Sequence, residues 1–285
     1  MPTPPDQLHN NPQHAKTAIV TGAGTVGDGI GNGRATAILL ARAGFNTLLL
    51  DLNKENLAQT QKMIRAEGYD ADTCVCDVAR ESDCAAAAEH AFDHWGRIDV
   101  LVNIVGINGP SGTAIDVNLD KWEAALHINV TSMMLMARYV LPYMISQHSG
   151  SIVNVASVAG LQGGHPSLLY PTSKGAVVNM TRAMAAHHGR DGVRVNCVAP
   201  GLVYTPMVYA QGMSESMRET RKQRSLLQTE GTAWDVANAI KFLASDASKW
   251  ITGVILPVDA GATAGRIIYS PEQAAQFTGV MDSPD

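Results

Sequence analysis

Tyr170 and Lys174 stand four residues apart in Tyr170-Pro171-Thr172-Ser173-Lys174, so a helix starting here puts a phenol and an ammonium on one face, one turn apart. A nearby cation stabilises phenolate, lowering a tyrosine pKa from about 10 toward working pH, which proton exchange with an alcohol requires. Ser157 lies just past the apolar run Ile152–Val155, where its hydroxyl can reach the same cleft and polarise a carbonyl oxygen. Asn129 falls in a long helical pattern after Trp122; asparagine is a poor mid-helix residue, so either a solvent-facing position or a functional kink must account for it. The Tyr/Lys spacing by itself is a weak signal, because both residues are common on helix surfaces.

A second constellation lies near the N-terminus. Thr21-Gly22-Ala23-Gly24-Thr25-Val26-Gly27-Asp28-Gly29-Ile30-Gly31-Asn32-Gly33 follows a short apolar run and opens directly into the helical stretch from Arg34. Glycines let a backbone turn tightly and approach a pyrophosphate, and a helix N-terminus adds unpaired N–H groups and a favourable dipole. Position between strand and helix separates this reading from a plain surface loop. Asp51 ends the next apolar run at a spacing suited to hydrogen-bonding the adenosine ribose, and its carboxylate would repel a 2′-phosphate. The loop adds Asp28 and has no Lys or Arg before Arg34, which favours NAD over NADP.

These residues need elements to hold them. Runs rich in Val, Ile and Leu alternate with longer helical patterns, the rhythm of βαβ units in a parallel sheet buried on both faces. Strands are predicted near Thr17–Val20, Thr47–Leu50, Thr73–Cys76, Val100–Val102, Ile152–Val155, Arg194–Val198 and Val254–Val258. Helices are predicted over Arg34–Ala43, Glu55–Ala66, Cys84–His94, Trp122–Ile145, Pro171–His188 and Trp234–Ala244. The expectation is an α/β fold: one domain over residues 16–263 with a doubly wound, Rossmann-like parallel sheet of about seven strands. A loose arm (1–15) precedes it and a tail (264–285) follows. The long connection Val203–Thr232, carrying Tyr204, Met207, Tyr209, Met213 and Met217, is of the length usual for functional loops.

With 285 residues, 46% hydrophobic and 16% charged, the chain can bury one large core. A net charge of -5 without clustered Lys and Arg argues against a nucleic-acid partner. No apolar run approaches the roughly 20 residues of a membrane helix, and the N-terminus lacks the order of a secretory signal. Cys74, Cys76, Cys84 and Cys197 show no CxxC spacing, which fits reduced thiols and a cytoplasmic location. No His-x-x-x-His or Cys/His cluster points to a metal. His187 and His188 read as helix-end residues, and Asp116, Asp120 and Glu123 as the acidic start of a helix. His165, between Ser157 and Tyr170, is equally a substrate contact or loop surface.

Taken together, the chain from Lys16 to Gly261 resembles the short-chain dehydrogenase/reductase family. The likeness rests on Thr21-Gly22-Ala23 through Gly31-Asn32-Gly33, Asp77-Val78, Asn103 to Gly106, Asn129, Ser157, Tyr170 with Lys174, Pro200-Gly201, Thr252-Gly253 and Val258-Asp259. The resemblance implies that Tyr170 is the general acid/base, that Ser157 orients the substrate oxygen, and that Lys174 assists Tyr170 and holds the nicotinamide ribose. Asn129 would position a water in a proton relay. Gly22, Gly31, Asn32, Gly33 and Asp51 would hold the dinucleotide, with Asp77 and Val78 at the adenine, Asn103 at the adenosine-side ribose or nearby backbone, and Gly106 alongside. Pro200 and Gly201 would lead to the nicotinamide, with Val203 and Thr205 at its carboxamide. The chain departs from the family in its longer glycine loop, in Asn103-Ile104-Val105-Gly106 where Asn-Asn-Ala-Gly is usual, and in Ala156 where a second serine is frequent.

The expected activity is NAD-dependent interconversion of a secondary alcohol and a ketone. The substrate is expected to be largely apolar and held under a lid made from Tyr204 to Met217, which has no Arg or Lys before Arg218. A homotetramer is implied, with Trp122–Ile145 and Pro171–His188 at one interface. From another class, a module that senses NAD(H) without turnover is the alternative.

Overall fold

The apolar runs form seven parallel strands in one sheet. The computed structural model describes residues 15–25, 27–210 and 212–266; the arm over residues 1–14 and the tail beyond residue 266 lie outside them. The elements run β1 (Thr17–Thr21), α1 (Asn32–Arg42), β2 (Asn46–Asp51), α2 (Lys54–Ala66), β3 (Asp72–Val75), α3 (Glu81–Trp95), β4 (Val100–Asn103), α4 (Leu119–Leu126), α5 (Ser132–Ser146), β5 (Gly150–Val155), α6 (Leu169–His188), β6 (Val193–Pro200), α7 (Pro206–Tyr209), α8 (Glu215–Lys222), α9 (Ala233–Ala244) and β7 (Ile255–Val258). The strand order is β3-β2-β1-β4-β5-β6-β7.

Side chains alternate across each strand, so a parallel sheet must be covered twice. Ala18, Val20, Leu49, Val102 and Val198 share one core with Ile38 of α1, Leu57 of α2 and Ile240 of α9. Ile19, Leu48, Leu50, Leu101 and Ile152 share the opposite core with Ala87 of α3 and Met136 and Val140 of α5. Burying such a side chain is worth about 1.5–3 kcal/mol. The chain reverses its direction of winding between β1 and β4, which leaves a crevice at the carboxyl ends of these strands.

Two elements differ from the expected ones. The helix predicted over Trp122–Ile145 is divided into α4 and α5 by a π-helical turn at His127–Thr131. The connection after Val203 is not continuous loop, because α7 and α8 form within it: Pro206 pre-sets the first turn of α7 and Ser214 caps α8 at Met217 N–H. Among the described residues no helix is long and apolar enough to cross a membrane, and no group of His, Cys, Asp and Glu could hold a metal ion.

Candidate active site

Tyr170 and Lys174 sit in the first two turns of α6, directed to one side as their spacing requires. The Lys174 side chain is 3% exposed and its Nζ donates to the carbonyl of Val155, at the end of β5, at 3.0 Å. Nζ also lies 5.9 Å from the Tyr170 ring centroid. Ser157 follows β5 and caps a short 3-10 turn, accepting from Ala159 N–H at 3.2 Å. Ser157 also acts on the Tyr170 phenol, favouring its ionised form. Phenol, hydroxyl and ammonium therefore converge at the carboxyl end of β5.

The protonation balance differs from the expected one. Burial raises the Tyr170 phenol above its ordinary value, and the opposing influence comes from Ser157, not Lys174. The reason is placement: the ammonium is turned to the Val155 carbonyl, with no direct bond to the phenol oxygen. Burial also weakens the Lys174 charge, bringing its pKa down to about 8.

Asn129 is fully buried in the π-helical turn, which resolves its sequence position in favour of a kink. Its Oδ1 accepts from Ile107 N–H at 2.8 Å, while Nδ2 donates to Ile107 O at 2.9 Å and Ser173 Oγ at 3.0 Å. Ser173 Oγ in turn donates to Tyr170 O at 2.8 Å. Asn129 thus ties the segment after β4 to the start of α6. Both amide hydrogens are spent there, so any water in a relay would meet its backbone or the free face of Oδ1. Ser173 was not singled out in the sequence, since a helical serine carries no signal of a buried partner. His165, left open between two roles, lies beside the site, its ring centroid 5.1 Å from that of Tyr170.

The glycine-rich segment fills the other end of the crevice. A Cβ on Gly33 would fall 1.8 Å from the Gly22 carbonyl oxygen, so only glycine allows α1 to approach β1 this closely. Gly22 takes a left-handed φ of 65°. A Cβ on Gly31 would stand 2.7 Å from Thr25 Oγ1. Asp51, at the tip of β2, faces the loop: Oδ2 accepts from Gly24 N–H and Oδ1 from Asn53 N–H, each at 3.0 Å. Asp77 and Val78 follow β3 beside this edge, Asp77 Oδ1 accepting from Ala79 N–H at 3.0 Å.

Asn103 ends β4 with its side-chain amide turned inward. It is 1% exposed, and its Nδ2 donates to Asn154 Oδ1 at 3.0 Å and Met133 O at 3.4 Å, so its amide joins β4 to β5 and α5. Both hydrogens of its Nδ2 are engaged there. A Cβ on Gly106 would lie 2.9 Å from Lys174 Nζ, which brings the segment after β4 against this lysine. Pro200 ends β6, Gly201 N–H donates to Val258 O at 2.9 Å, and Val203 and Thr205 are buried at the entrance to α7.

These residues fit a dinucleotide. The first turn of α1 has backbone N–H groups without intrahelical partners, as every helix start does. Asn32 Oδ1 is buried with no hydrogen-bond partner among the described residues, a polar atom awaiting a ligand group. Gly22, Gly31, Asn32, Gly33 and Asp51 could hold the adenosine and pyrophosphate, and Lys174 with the 203–205 segment the nicotinamide end.

Residues 26–263 match the family described as Enoyl-(Acyl carrier protein) reductase. A 3-oxoacyl-(acyl-carrier-protein) reductase from Thermotoga maritima is 35% identical over 246 residues, 86% of this chain and 97% of that protein. A cis-4-hydroxycyclohexanecarboxylate dehydrogenase from Sinomonas cyclohexanicum is 36% identical, over 87% of this chain and 97% of that protein. Among solved structures, an NAD+-bound xylitol dehydrogenase superposes with a TM-score of 0.78 at 31% identity, covering 86% of this chain and 98% of that one.

Proposed function

This chain belongs to the short-chain dehydrogenase/reductase family, and from that premise we propose that it is an NAD-dependent enzyme interconverting a secondary alcohol and a ketone. One observation carries the reading: Ser157 lowers the pKa of the Tyr170 phenol while a buried Lys174 ammonium lies across the Tyr170 ring. In the oxidising direction Tyr170 takes the proton of the substrate hydroxyl, and in the reducing direction it returns one to the developing alkoxide. Ser157 donates to the same oxygen and orients it. Lys174 supplies a positive charge that favours phenolate as it forms, and Asn129 and Ser173 hold the start of α6 against the segment after β4. The nicotinamide, when bound, supplies the hydride acceptor or donor.

Asp51 supports NAD over NADP, because a carboxylate facing the glycine loop would repel a 2′-phosphate. The NAD+-bound state of the xylitol dehydrogenase points the same way. For the substrate, Met207 and Met217 are exposed on α7 and α8, suited to an adaptable apolar wall, and Arg218 is engaged by Glu230 and stacked over Tyr204. We assign an apolar ketone or secondary alcohol, a domain over residues 16–263, a homotetramer in solution, and a cytoplasmic location suited to the four free thiols.

A panel of secondary alcohols with NAD+, followed by NADH formation, tests the activity. Tyr170→Phe should lower kcat at least about a hundredfold and leave NADH affinity nearly unchanged. Near-wild-type turnover by this variant would refute the mechanism. A clear kcat/KM preference for an anionic ketone over its apolar match would overturn the substrate class.

A further inference from the structure

Arg34 is the third residue of α1, where the helix dipole disfavours a cation, yet its side chain is fully buried. An arginine in that position requires strong compensation. It finds a partner for each of its five donors. Nε donates to Thr60 Oγ1 at 3.0 Å, Nη1 to Gly27 O at 2.7 Å and Gly29 O at 2.6 Å, and Nη2 to Thr25 O at 2.8 Å and Asn56 O at 3.5 Å. Three of the five acceptors are carbonyls of the segment between Gly24 and Gly31, the part of the glycine loop that is longer than in the family. Asp28 and Asp51 offset the burial of the charge.

A trans peptide points its N–H opposite to its C=O. Carbonyls of Gly27 and Gly29 drawn in to the guanidinium therefore turn the N–H groups of Asp28 and Ile30 away from it. Neither N–H donates to another of the described residues. The far side of the loop is closed by the lid, since a Cβ on Gly29 would lie 2.7 Å from Tyr209 Oη. A loop with glycines at 24, 27 and 29 would otherwise pay a large ordering entropy when a ligand binds.

We propose that Arg34 is a positioning residue of the dinucleotide site: by gathering the carbonyls of Thr25, Gly27 and Gly29 it pre-orders the lengthened loop and turns Asp28 and Ile30 N–H outward as donors to a pyrophosphate. This rests on the reading of the crevice as a nicotinamide-dinucleotide site. Lysine keeps the charge and loses the planar fork, so it cannot bridge three carbonyls and Thr60 together.

The test is NADH titration and steady-state kinetics of the full chain with Arg34→Lys and Thr60→Val, with thermal unfolding to establish that each variant is folded. Arg34→Lys should weaken NADH binding and raise KM for NAD+ by at least about tenfold, as expected for losing several charge-assisted bonds, with a much smaller fall in kcat. Thr60→Val, which removes the Nε acceptor together with the Thr60 Oγ1 donor to Ala23 O, should shift both affinities about threefold in the same direction, and Thr60→Ser, which keeps the hydroxyl, should restore them. Unchanged NADH affinity in folded Arg34→Lys overturns the proposal, as does a kcat loss equal to the KM rise. If Arg34→Lys does not fold, unchanged affinity in Thr60→Val does so. Failure of the wild-type chain to bind NADH would overturn the dinucleotide reading itself, a result distinct from these.

Discussion

Lys174→Met should make the ligand-free protein at least as stable at neutral pH while removing most of its activity. Burial holds the lysine to a pKa of about 8 against an ordinary 10.5, so the folded chain disfavours the charged form by about 3 kcal/mol. Methionine has similar length, fills the same space and carries no charge. Against this gain, the Val155 carbonyl, 3.0 Å from Nζ, loses its donor, at about 1–3 kcal/mol. The net change lies between zero and about 2 kcal/mol in favour of the variant below pH 8. Between pH 8 and 10.5 the unfolded lysine still holds its proton and the folded one does not, so wild-type stability rises through this window. The variant's advantage must shrink there and reverse once only the orphaned carbonyl counts. Urea unfolding of both proteins at about pH 7 and about pH 10 measures the difference directly. A variant less stable than wild type by more than about 1 kcal/mol at neutral pH, or a difference independent of pH, would refute the reasoning. In the same samples kcat should fall at least about a hundredfold, since the positive charge beside Tyr170 is gone.

Asp51→Ala should lower kcat/KM for NAD+ by roughly tenfold or more, through loss of charged hydrogen bonds, and raise the NADP+/NAD+ preference ratio; an unchanged ratio in coupled assays would show that Asp51 does not read the ribose. The proposed homotetramer gives a plain mass in light scattering at micromolar concentration, and a monomeric mass would remove α5 and α6 as an interface, even though Met134 of α5 is exposed.

Much of the architecture was readable from local pattern. Runs dense in apolar residues such as Thr47–Leu50 became strands because a parallel sheet buried on both faces favours apolar side chains on either side, and a seven-stranded sheet formed from them. The Tyr170/Lys174 spacing and the glycines before α1 were legible for a similar reason: their chemistry depends on separations along a helix or within one turn. Helix ends moved by a few residues, as at α3, which starts at Glu81 and not at Cys84.

Other features were decided by contacts between distant segments. Asn129 announced an irregularity, but that it forms a π-helical turn and binds Ile107 and Ser173 depended on residues 22 and 44 positions away. Asn103 matched a family position in sequence, and only the neighbouring strand turned its amide into the core to meet Asn154. Arg34 marked the start of the first predicted helix, and its burial under the lengthened loop came only with the tertiary fold. The Tyr170 pKa followed the same rule: sequence determined which cation stood one turn away, while tertiary burial determined how much the phenol lost to desolvation and where the ammonium pointed. Short-range spacing is set by covalent geometry and is present in the chain from the start, whereas burial and hydrogen-bond partners exist only once remote segments exclude water from one another.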